Sequence, residues 1–168
     1  MRISYKRKII AEINKIGKFP YHNKFNLNIE SQGSPDQYQL YVTGVRKDSD
    51  DIETVALVYV NRIKECCGAS LISSLWTDWD FTDSWGTNTH GKVCDILLKW
   101  AEDFADLHLD TSHMIYYVSQ EQEEEENVLI DRGYGKIDQF LNPNSHNEVY
   151  LYSFYTEHSD ENSDPFDN

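Results

Sequence analysis

The sequence predicts an α/β fold of the α+β kind, with a mixed, mostly antiparallel sheet flanked by helices. Three observations lead to this class. Four strand patterns follow one another between residues 25 and 76, an amphipathic helix pattern runs from residue 93 to residue 107, and a strand, a helix and two further strands complete the chain. Strands with short connections pair antiparallel, whereas a helical crossover joins parallel neighbours. This order therefore favours one sheet that contains both kinds of pairing.

The N-terminal part of the chain predicts one helix and then a meander. Ile9, Ile13 and Ile16 recur at helical spacing, which indicates a short basic amphipathic helix over residues 5–17 that ends at Gly17. Beyond it, apolar and polar residues alternate in the manner of half-buried strands. We expect these strands at residues 25–30, 38–45, 54–63 and 68–76.

The C-terminal part predicts two helices separated by a central strand at residues 114–118. Ser119 and Gln122 have the spacing of a capping box at the start of the second helix, and Gly133 is suited to end that helix in the left-handed conformation. The first helix is indicated by apolar residues at three- and four-residue steps, namely Val93, Ile96, Leu97, Trp100, Ala101, Phe104 and Leu107. The last two strands are expected at residues 136–140 and 149–155.

Composition predicts a single soluble domain over residues 1–156, followed by an acidic, disordered tail over residues 157–168. No apolar run approaches the roughly 20 residues that cross a bilayer, and the N-terminus lacks the apolar core of a secretory signal. The three cysteines include one adjacent pair and make a poor disulfide framework. We therefore expect a reducing, cytoplasmic location and no membrane partner.

The net charge of −14 is distributed unevenly along the chain. Residues 1–24 carry seven basic residues and one acidic residue, so the rest of the chain sums to −20. An acidic surface repels nucleic acid and keeps a chain soluble. Direct binding of nucleic acid is therefore not expected, whereas a cationic ligand or a basic protein would suit this surface.

Two motifs carry a resemblance to a known family. Residues 90–105, with their Leu-Leu pair, resemble the GNAT-type (acetyl-CoA-dependent) N-acetyltransferases, in which Q/R-x-x-G-x-G/A precedes a Leu-Leu helix. Residues 126–134 resemble the helix of that family that ends Tyr-x-x-x-Gly-Phe. The matching order of elements covers residues 25–155, and it implies a GNAT-like acyltransferase fold.

The resemblance implies a site for the pyrophosphate of acetyl-CoA at the start of the first long helix. Backbone N–H groups and the positive helix end favour an anion there, and small residues let the backbone approach the phosphates. Aligned on the Leu-Leu pair, this chain has Thr89 at the Arg/Gln position, Lys92 at the first glycine and Cys94 at the second. The residues expected to bind the cosubstrate are Thr89, Gly91, Lys92, Val93 and Cys94.

The resemblance also implies two proton transfers. A carboxylate must accept the proton of the amine, and Asp78 or Asp80 at the end of the fourth strand is the candidate, although both could instead cap a turn. The tyrosine that protonates the leaving thiolate in many relatives aligns with Leu129, which cannot transfer a proton. Three tyrosines could substitute for it, or could simply be packed aromatics: Tyr134, Tyr116 and Tyr117.

The activity implied by the resemblance is transfer of an acetyl group from acetyl-CoA to an amine, without a covalent enzyme intermediate. The acidic surface favours a cationic acceptor such as a polyamine, an aminoglycoside or a protein lysine. Trp76, Trp79 and Trp85 could wall the acceptor pocket, or could pack across the end of the sheet.

Two other hypotheses remain open. One is a non-catalytic, acidic GNAT-fold protein that binds or inhibits a basic partner, for example a DNA-binding protein. The other is a zinc site at His90 and Cys94, completed by Cys66 or Cys67, but it lacks a Cys-x-x-Cys pair and no metal is expected.

Overall fold

A computed structural model describes residues 1–16, 20–33, 36–65, 68–82, 89–156 and 166. Its helices are α1 (Ile3–Ile16), α2 (Trp79–Thr82), α3 (Thr89–His108) and α4 (Glu123–Asp131). Its strands are β1 (Asn26–Ser31), β2 (Gln37–Val45), β3 (Ile52–Arg62), β4 (Ala69–Thr77), β5 (His113–Ser119), β6 (Gly135–Leu141) and β7 (Glu148–Tyr155).

The seven strands form one sheet in the order β1-β2-β3-β4-β5-β7-β6. All neighbouring strands pair antiparallel except β4 and β5, which are parallel because α3 lies between them along the chain. The predicted mixed, mostly antiparallel sheet with flanking helices is thus confirmed. Each predicted strand and each of the three long helices is present, whereas the short α2 was not predicted.

Three helices pack together over one face of the sheet. Helix α3 contacts α1 on one side and α4 on the other, and it also packs against β3 and β4. Side chains alternate between the two faces of a strand, so every second residue points towards these helices. In β2 these are Leu40 and Val42, and in β3 they are Val58 and Val60, all with no exposed surface. The core therefore lies between the sheet and α3.

Strands β4 and β5 separate towards their carboxyl ends. They pair only from Ala69 to Ile72 on β4, with His113 to Tyr116 on β5. Ser73 is an extra residue in the β3–β4 ladder, since Val60 faces Ile72 while Tyr59 faces Ser74. A bulge bends a strand and interrupts its pairing. Beyond this bulge, the last residues of β4 leave β5 and a gap opens between the two strands.

Helix α4 begins later than the capping box predicts and ends where the glycine predicts. The side-chain oxygen of Gln122 accepts the Ser119 N–H at 2.9 Å, but the Ser119 hydroxyl faces the Glu121 N–H, and the helix starts only at Glu123. At the other end, Gly133 has φ +94°, and the N–H of Tyr134 reaches back to the carbonyl of Leu129 at 2.9 Å. This is a Schellman ending, which needs the left-handed backbone of glycine.

The C-terminal residues 157–165 and 167–168, within the predicted tail, lie outside the described residues. Phe166 is described, and its ring packs on Tyr5 of α1 and Phe104 of α3 at 5.3 and 5.4 Å between centroids. That residue of the predicted tail therefore rests on the domain. Among the described residues, no helix is long and apolar enough to cross a membrane.

Candidate active site

A cavity of about 700 Å³ lies where β4 and β5 separate. Parallel strands joined by a helical crossover end at the same edge of a sheet, and the helices that follow them begin at that edge. Thus β4 leads through α2 to the start of α3, and β5 leads to the start of α4. The cavity is lined by Leu75, Trp76, Thr77, Asp78, Trp79, Thr82, His90, Glu121, Gln122, Glu123, Glu124 and Glu125.

A hydrogen-bonded chain of three side chains crosses the inner wall of the cavity. Thr77, the last residue of β4, has its hydroxyl 2.5 Å from Nδ1 of His90, in the first turn of α3. Nε2 of His90 lies 2.8 Å from a carboxylate oxygen of Glu125, in the first turn of α4. The His90 and Glu125 side chains are 20% and 11% exposed, so the pair is largely shielded from water. A hydroxyl, an imidazole and a carboxylate thus link β4, α3 and α4.

The surroundings of these hydrogen-bonded side chains determine their charge. Burial acts to raise the pKa of Glu125, but the hydrogen bond from His90 and a backbone hydrogen bond outweigh it, and the pKa is lowered. Cys94 lies 3.6 Å from Nε2 of His90. Burial, together with the carboxylates of Glu125 and Glu124, raises the pKa of the Cys94 thiol well above its ordinary range. Glu125 is therefore ionised at neutral pH, whereas Cys94 is a protonated, inert thiol.

Of the two predicted proton acceptors, only Asp78 lines the cavity, and both carboxylates already have partners. Asp78 lines the cavity, and its carboxylate accepts the hydroxyl of Tyr21 at 2.7 Å while its carbonyl accepts the N–H of Thr82. Asp80 points away and forms an ion pair with Arg46 at 3.0 Å. The turn-capping alternative describes Asp78 well, because α2 begins immediately after it.

Tyr134 lies at the opposite end of α4 from the cavity. Its hydroxyl donates to the buried carboxylate of Glu102 at 3.1 Å, and its ring stacks on Phe154. Helix α4 has nine residues and is therefore roughly 13 Å long. Burial and the negative charge of Glu102 raise the pKa of Tyr134 far above its ordinary value. These contacts are those of a structural aromatic residue.

The other two candidate tyrosines do not line the cavity either. Tyr116 is 4% exposed and faces the core, and burial raises its pKa, as does the nearby Glu125. Tyr117 points to the opposite face of the sheet, is 46% exposed and contacts the ring of Phe140.

The predicted cosubstrate residues form the first turns of α3. Thr89, Gly91, Val93 and Cys94 are buried, and Lys92 is exposed. The first four N–H groups of a helix have no partner within it, so those of Thr89, Gly91 and Lys92 can donate to a ligand. Val93 and Cys94 come after these four residues, and their N–H groups belong to the hydrogen-bonded part of the helix. The loop before α3, residues 83–88, lies outside the described residues, and so does Trp85 within it.

A second cavity of about 710 Å³ lies on the other side of the α3 N-terminus, between α1, α3 and α4. Gly91 and Lys92 line it, together with Lys15 of α1. Both cavities share Glu124, so they meet at the first turns of α3 and α4. The carboxylates in the wall of the second cavity are those of Glu12, Asp95, Glu124 and Asp131.

The zinc hypothesis gains no support from the residues around His90. Cys66 and Cys67 lie outside the described residues, and within the described part of the chain no group of three His, Cys, Asp or Glu side chains could hold a metal ion. Trp76 and Trp79 line the first cavity and are 43% and 70% exposed. They therefore form part of its wall instead of packing across the end of the sheet.

Known proteins match this chain in structure but not in sequence. No protein-family model matches the chain, and no curated protein matches it in sequence. Solved structures do match. Mutant forms of the spermidine/spermine N-acetyltransferase SpeG from Vibrio cholerae superpose with a TM-score of 0.57 at 9% identity, over 79% of this chain and 95% of that one.

Two further structures agree with this match. An acetyltransferase of the GNAT family from Streptococcus pneumoniae has a TM-score of 0.54 at 12% identity, over 74% of this chain and 70% of that one. RimJ from Mycobacterium smegmatis, in complex with CoA-disulfide, has a TM-score of 0.53 at 11% identity, over 71% of this chain and 53% of that one. The fold is that of the GNAT N-acetyltransferases.

The resemblance to the GNAT acyltransferases puts Leu129 where many of them carry a tyrosine. Leu129 belongs to α4 and is completely buried in the core. A tyrosine at this buried position would have to fit a larger ring and a hydroxyl into the core.

Sequence reasoning missed the central members of the site. His90 was considered as a possible zinc ligand, and neither Glu125 nor Thr77 was given a role in the site. The one local signal was a histidine in the first turn of a helix, where its positive charge is unfavourable unless a carboxylate compensates it. Thr77 and Glu125 are 13 and 35 residues away from His90 in sequence, so no local pattern joins them.

Proposed function

We propose that this protein transfers an acetyl group from acetyl-CoA to an amine. The observation that carries the proposal is the separation of β4 and β5 after Ile72, which opens a cavity of about 700 Å³ at the start of α3 and α4. A gap between two parallel strands exposes backbone N–H and C=O groups that have lost their ladder partners. An extended amide-containing chain such as the pantetheine arm of acetyl-CoA can satisfy them.

The phosphates of acetyl-CoA would lie against the first turn of α3. The N–H groups of Thr89, His90 and Gly91 precede the hydrogen-bonded part of the helix, and the exposed ammonium group of Lys92 adds a positive charge beside them. Gly91 has room for a close approach, since an added Cβ would meet only Val128, at 3.5 Å. Val93 and Cys94 would support this turn from the core side.

The acceptor amine would enter from the acidic side of the cavity. Asp78, Glu121, Glu123 and Glu124 line it together with the indoles of Trp76 and Trp79. Carboxylates attract an ammonium group, and indole faces bind cations. A cationic amine therefore suits the wall, as in the spermidine/spermine acetyltransferase with the same fold.

Calorimetry with acetyl-CoA tests the cosubstrate half of this proposal. We expect binding that weakens about tenfold in Lys92→Glu, the change produced by roughly 1.4 kcal/mol of lost electrostatic attraction. The matched control is Lys99→Glu, which makes the same charge reversal on the same helix and removes the pair of the exposed Lys99 with Asp103. Absence of binding at millimolar acetyl-CoA would rule out the proposal, and equal weakening by both variants would rule out the site.

Release of free thiol in the presence of spermidine tests the acceptor half. We expect turnover that falls in Trp76→Ala, with a higher KM for spermidine and an unchanged affinity for acetyl-CoA. Trp76 is 43% exposed, so its removal leaves no large cavity in the core. A variant with unchanged kinetic constants would show that the acceptor does not contact this wall.

A non-catalytic interaction protein remains the second candidate, and Leu129 favours it. The side chain in the tyrosine position has no hydroxyl, and the chain outside residues 1–24 carries a charge of −20. This candidate predicts co-purification with a basic protein that is lost at high salt, together with no binding of acetyl-CoA. A complex that is insensitive to salt would contradict its electrostatic form.

A further inference from the structure

We propose that Thr77, His90 and Glu125 form the proton relay of this site, in which Thr77 receives the proton of the acceptor amine and His90 holds it. The inference rests on the proposed acetyl transfer. It is carried by the geometry of the three side chains, which lie along one wall of the cavity in an unbroken hydrogen-bonded series of 2.5 and 2.8 Å.

The partners of the imidazole fix its tautomer. An ionised carboxylate can only accept hydrogen bonds, so Nε2 of His90 carries the proton that points at Glu125. The neutral imidazole then presents a lone pair at Nδ1, and the Thr77 hydroxyl donates to it. This is the form of imidazole that can take up a proton, at the Nδ1 atom that is hydrogen-bonded to Thr77 of β4.

The same network also accommodates the protonated imidazole. Once Nδ1 carries a proton it becomes a donor, and the Thr77 hydroxyl must accept from it. The Thr77 proton then needs a new acceptor, which the hydroxyl of Thr82 offers at 3.3 Å. Thr82 can play that part because it donates its own proton to the carbonyl of Asp78 at 3.0 Å. A rotation of the Thr77 hydroxyl is enough to satisfy both states.

The proton balance of the transfer is simple. The bond between the amine nitrogen and the acetyl carbon forms as the bond between that carbon and sulfur breaks, and the electron pair leaves on sulfur. The reacting nitrogen enters this step as the neutral amine, after its ammonium proton has passed to water. Thr77 takes the second proton from nitrogen while its own hydroxyl proton passes to Nδ1 of His90. The imidazolium is balanced by Glu125 and returns the proton to the departing sulfur. No tyrosine is needed at the position of Leu129.

The groups around His90 favour holding a positive charge. Glu125 of α4 contacts it directly, and four further carboxylates line the same cavity, namely those of Asp78, Glu121, Glu123 and Glu124. From the core side, Tyr116 of β5 and Cys94 of α3 come near Glu125, and burial keeps both protonated. Among the described residues that line the cavity there is no lysine or arginine, and Lys92 of α3 lines the second cavity instead.

The test uses four variants of the full chain, with spermidine and a lysine-rich peptide as acceptor probes. Thr77→Val and His90→Gln should each lower kcat by about 10²–10³-fold, the usual contribution of a positioned acid–base group. The dissociation constant of acetyl-CoA should stay within about threefold, since neither side chain holds the phosphates. Thr77→Ser should restore kcat. The control is His22→Gln, which changes a half-exposed histidine that lies beside Asp50 and not in the cavity wall.

Two further measurements separate a relay from a structural role. In Glu125→Gln the acidic limb of the kcat profile should move to lower pH, because the imidazolium loses its balancing charge. In the protein without any ligand, the ¹⁵N shifts of the His90 ring should report a proton on Nε2 at neutral pH.

Several results would overturn the relay. One is a kcat of His90→Gln above about one third of the wild-type value, and another is an acidic limb of the kcat profile that does not move in Glu125→Gln. The others are a proton on Nδ1 of His90 in the free protein and an acetyl group trapped on Thr77. Acetyl-CoA binding without turnover of either amine would also overturn it. Wild-type protein that fails to bind acetyl-CoA would instead remove the proposed function itself, so the two failures are distinguishable.

Discussion

Replacement of Tyr134 by Phe decides whether this residue works in chemistry or in packing. The substitution removes one hydrogen bond, from the hydroxyl to the carboxylate of Glu102 at 3.1 Å. It keeps the ring that stacks on Phe154 at 4.8 Å, so no cavity larger than one oxygen atom forms. The carboxylate retains the bidentate contact of Arg132, at 2.8 and 2.6 Å, and is not left without partners.

The magnitude follows from these contacts. A buried hydrogen bond to a charged group contributes about 1.5–3 kcal/mol, and the remaining pair on Glu102 places the loss near the lower end, at about 1–2 kcal/mol. In a chain of this size the melting temperature should fall by about 2–8 °C. The free energy of unfolding is measured by urea titration, with an unchanged slope expected.

The matched control is Tyr150→Phe, whose hydroxyl bonds to the exposed Glu148 at 3.0 Å and should make no measurable difference. The rate of acetyl transfer should be the same in Tyr134→Phe as in the wild type. A rate more than tenfold lower, with an unchanged unfolding midpoint, would refute the structural interpretation. It would return Tyr134 to the role of thiolate acid that the family resemblance implies.

Three further predictions concern stability. Arg132→Met leaves the carboxylate of Glu102 buried without its bidentate partner, so the free energy of unfolding in urea should fall by about 3–5 kcal/mol, and a loss below about 1 kcal/mol would contradict this. Gly133→Ala should cost about 1–2 kcal/mol because φ is +94°, whereas Gly135→Ala, with nothing within 4 Å of the added Cβ, should not lower the melting temperature; equal losses would rule out the backbone explanation. The pKa of Glu125 is lowered by folding, so its contribution to stability is fully present above its ordinary pKa of 4.5 and is lost as the pH falls through the lower folded value. The melting temperature of the wild type should therefore drop more steeply in acid than that of Glu125→Gln. Parallel melting curves would count against the pair with His90.

Much of the fold was predictable because it depends on local patterns. The three- and four-residue spacing of apolar residues predicted α3, and six of the seven residues of that pattern are buried, Leu107 being partly exposed. Gly133 predicted the end of α4 because a positive φ strongly favours glycine. The start of α4 was predicted too early, since Gln122 bonds back to Ser119 as a capping box requires while the backbone turns once more before Glu123.

Less of the candidate site was predictable, and the reason is the same for each residue. Asp78 was predicted as a proton acceptor, and it lines the cavity because it directly follows a strand, but its carboxylate accepts the hydroxyl of Tyr21, which is 57 residues away. Asp80 was expected beside it, yet a strand and a helix point successive side chains in different directions, and it pairs with Arg46 on the surface. Partners that are distant in sequence decide whether a carboxylate is available.

The sequence by itself determined the order of helices and strands, the caps that end them and the acidic balance of the surface, because each depends on neighbours within a few residues or on composition alone. Only the tertiary structure decided where β4 leaves β5, that the first turns of α3 and α4 converge, and that Thr77, His90 and Glu125 meet there. Those contacts join three separate elements. Their geometry is set by the packing of α3 against the sheet and against α4, which no local pattern in the chain encodes.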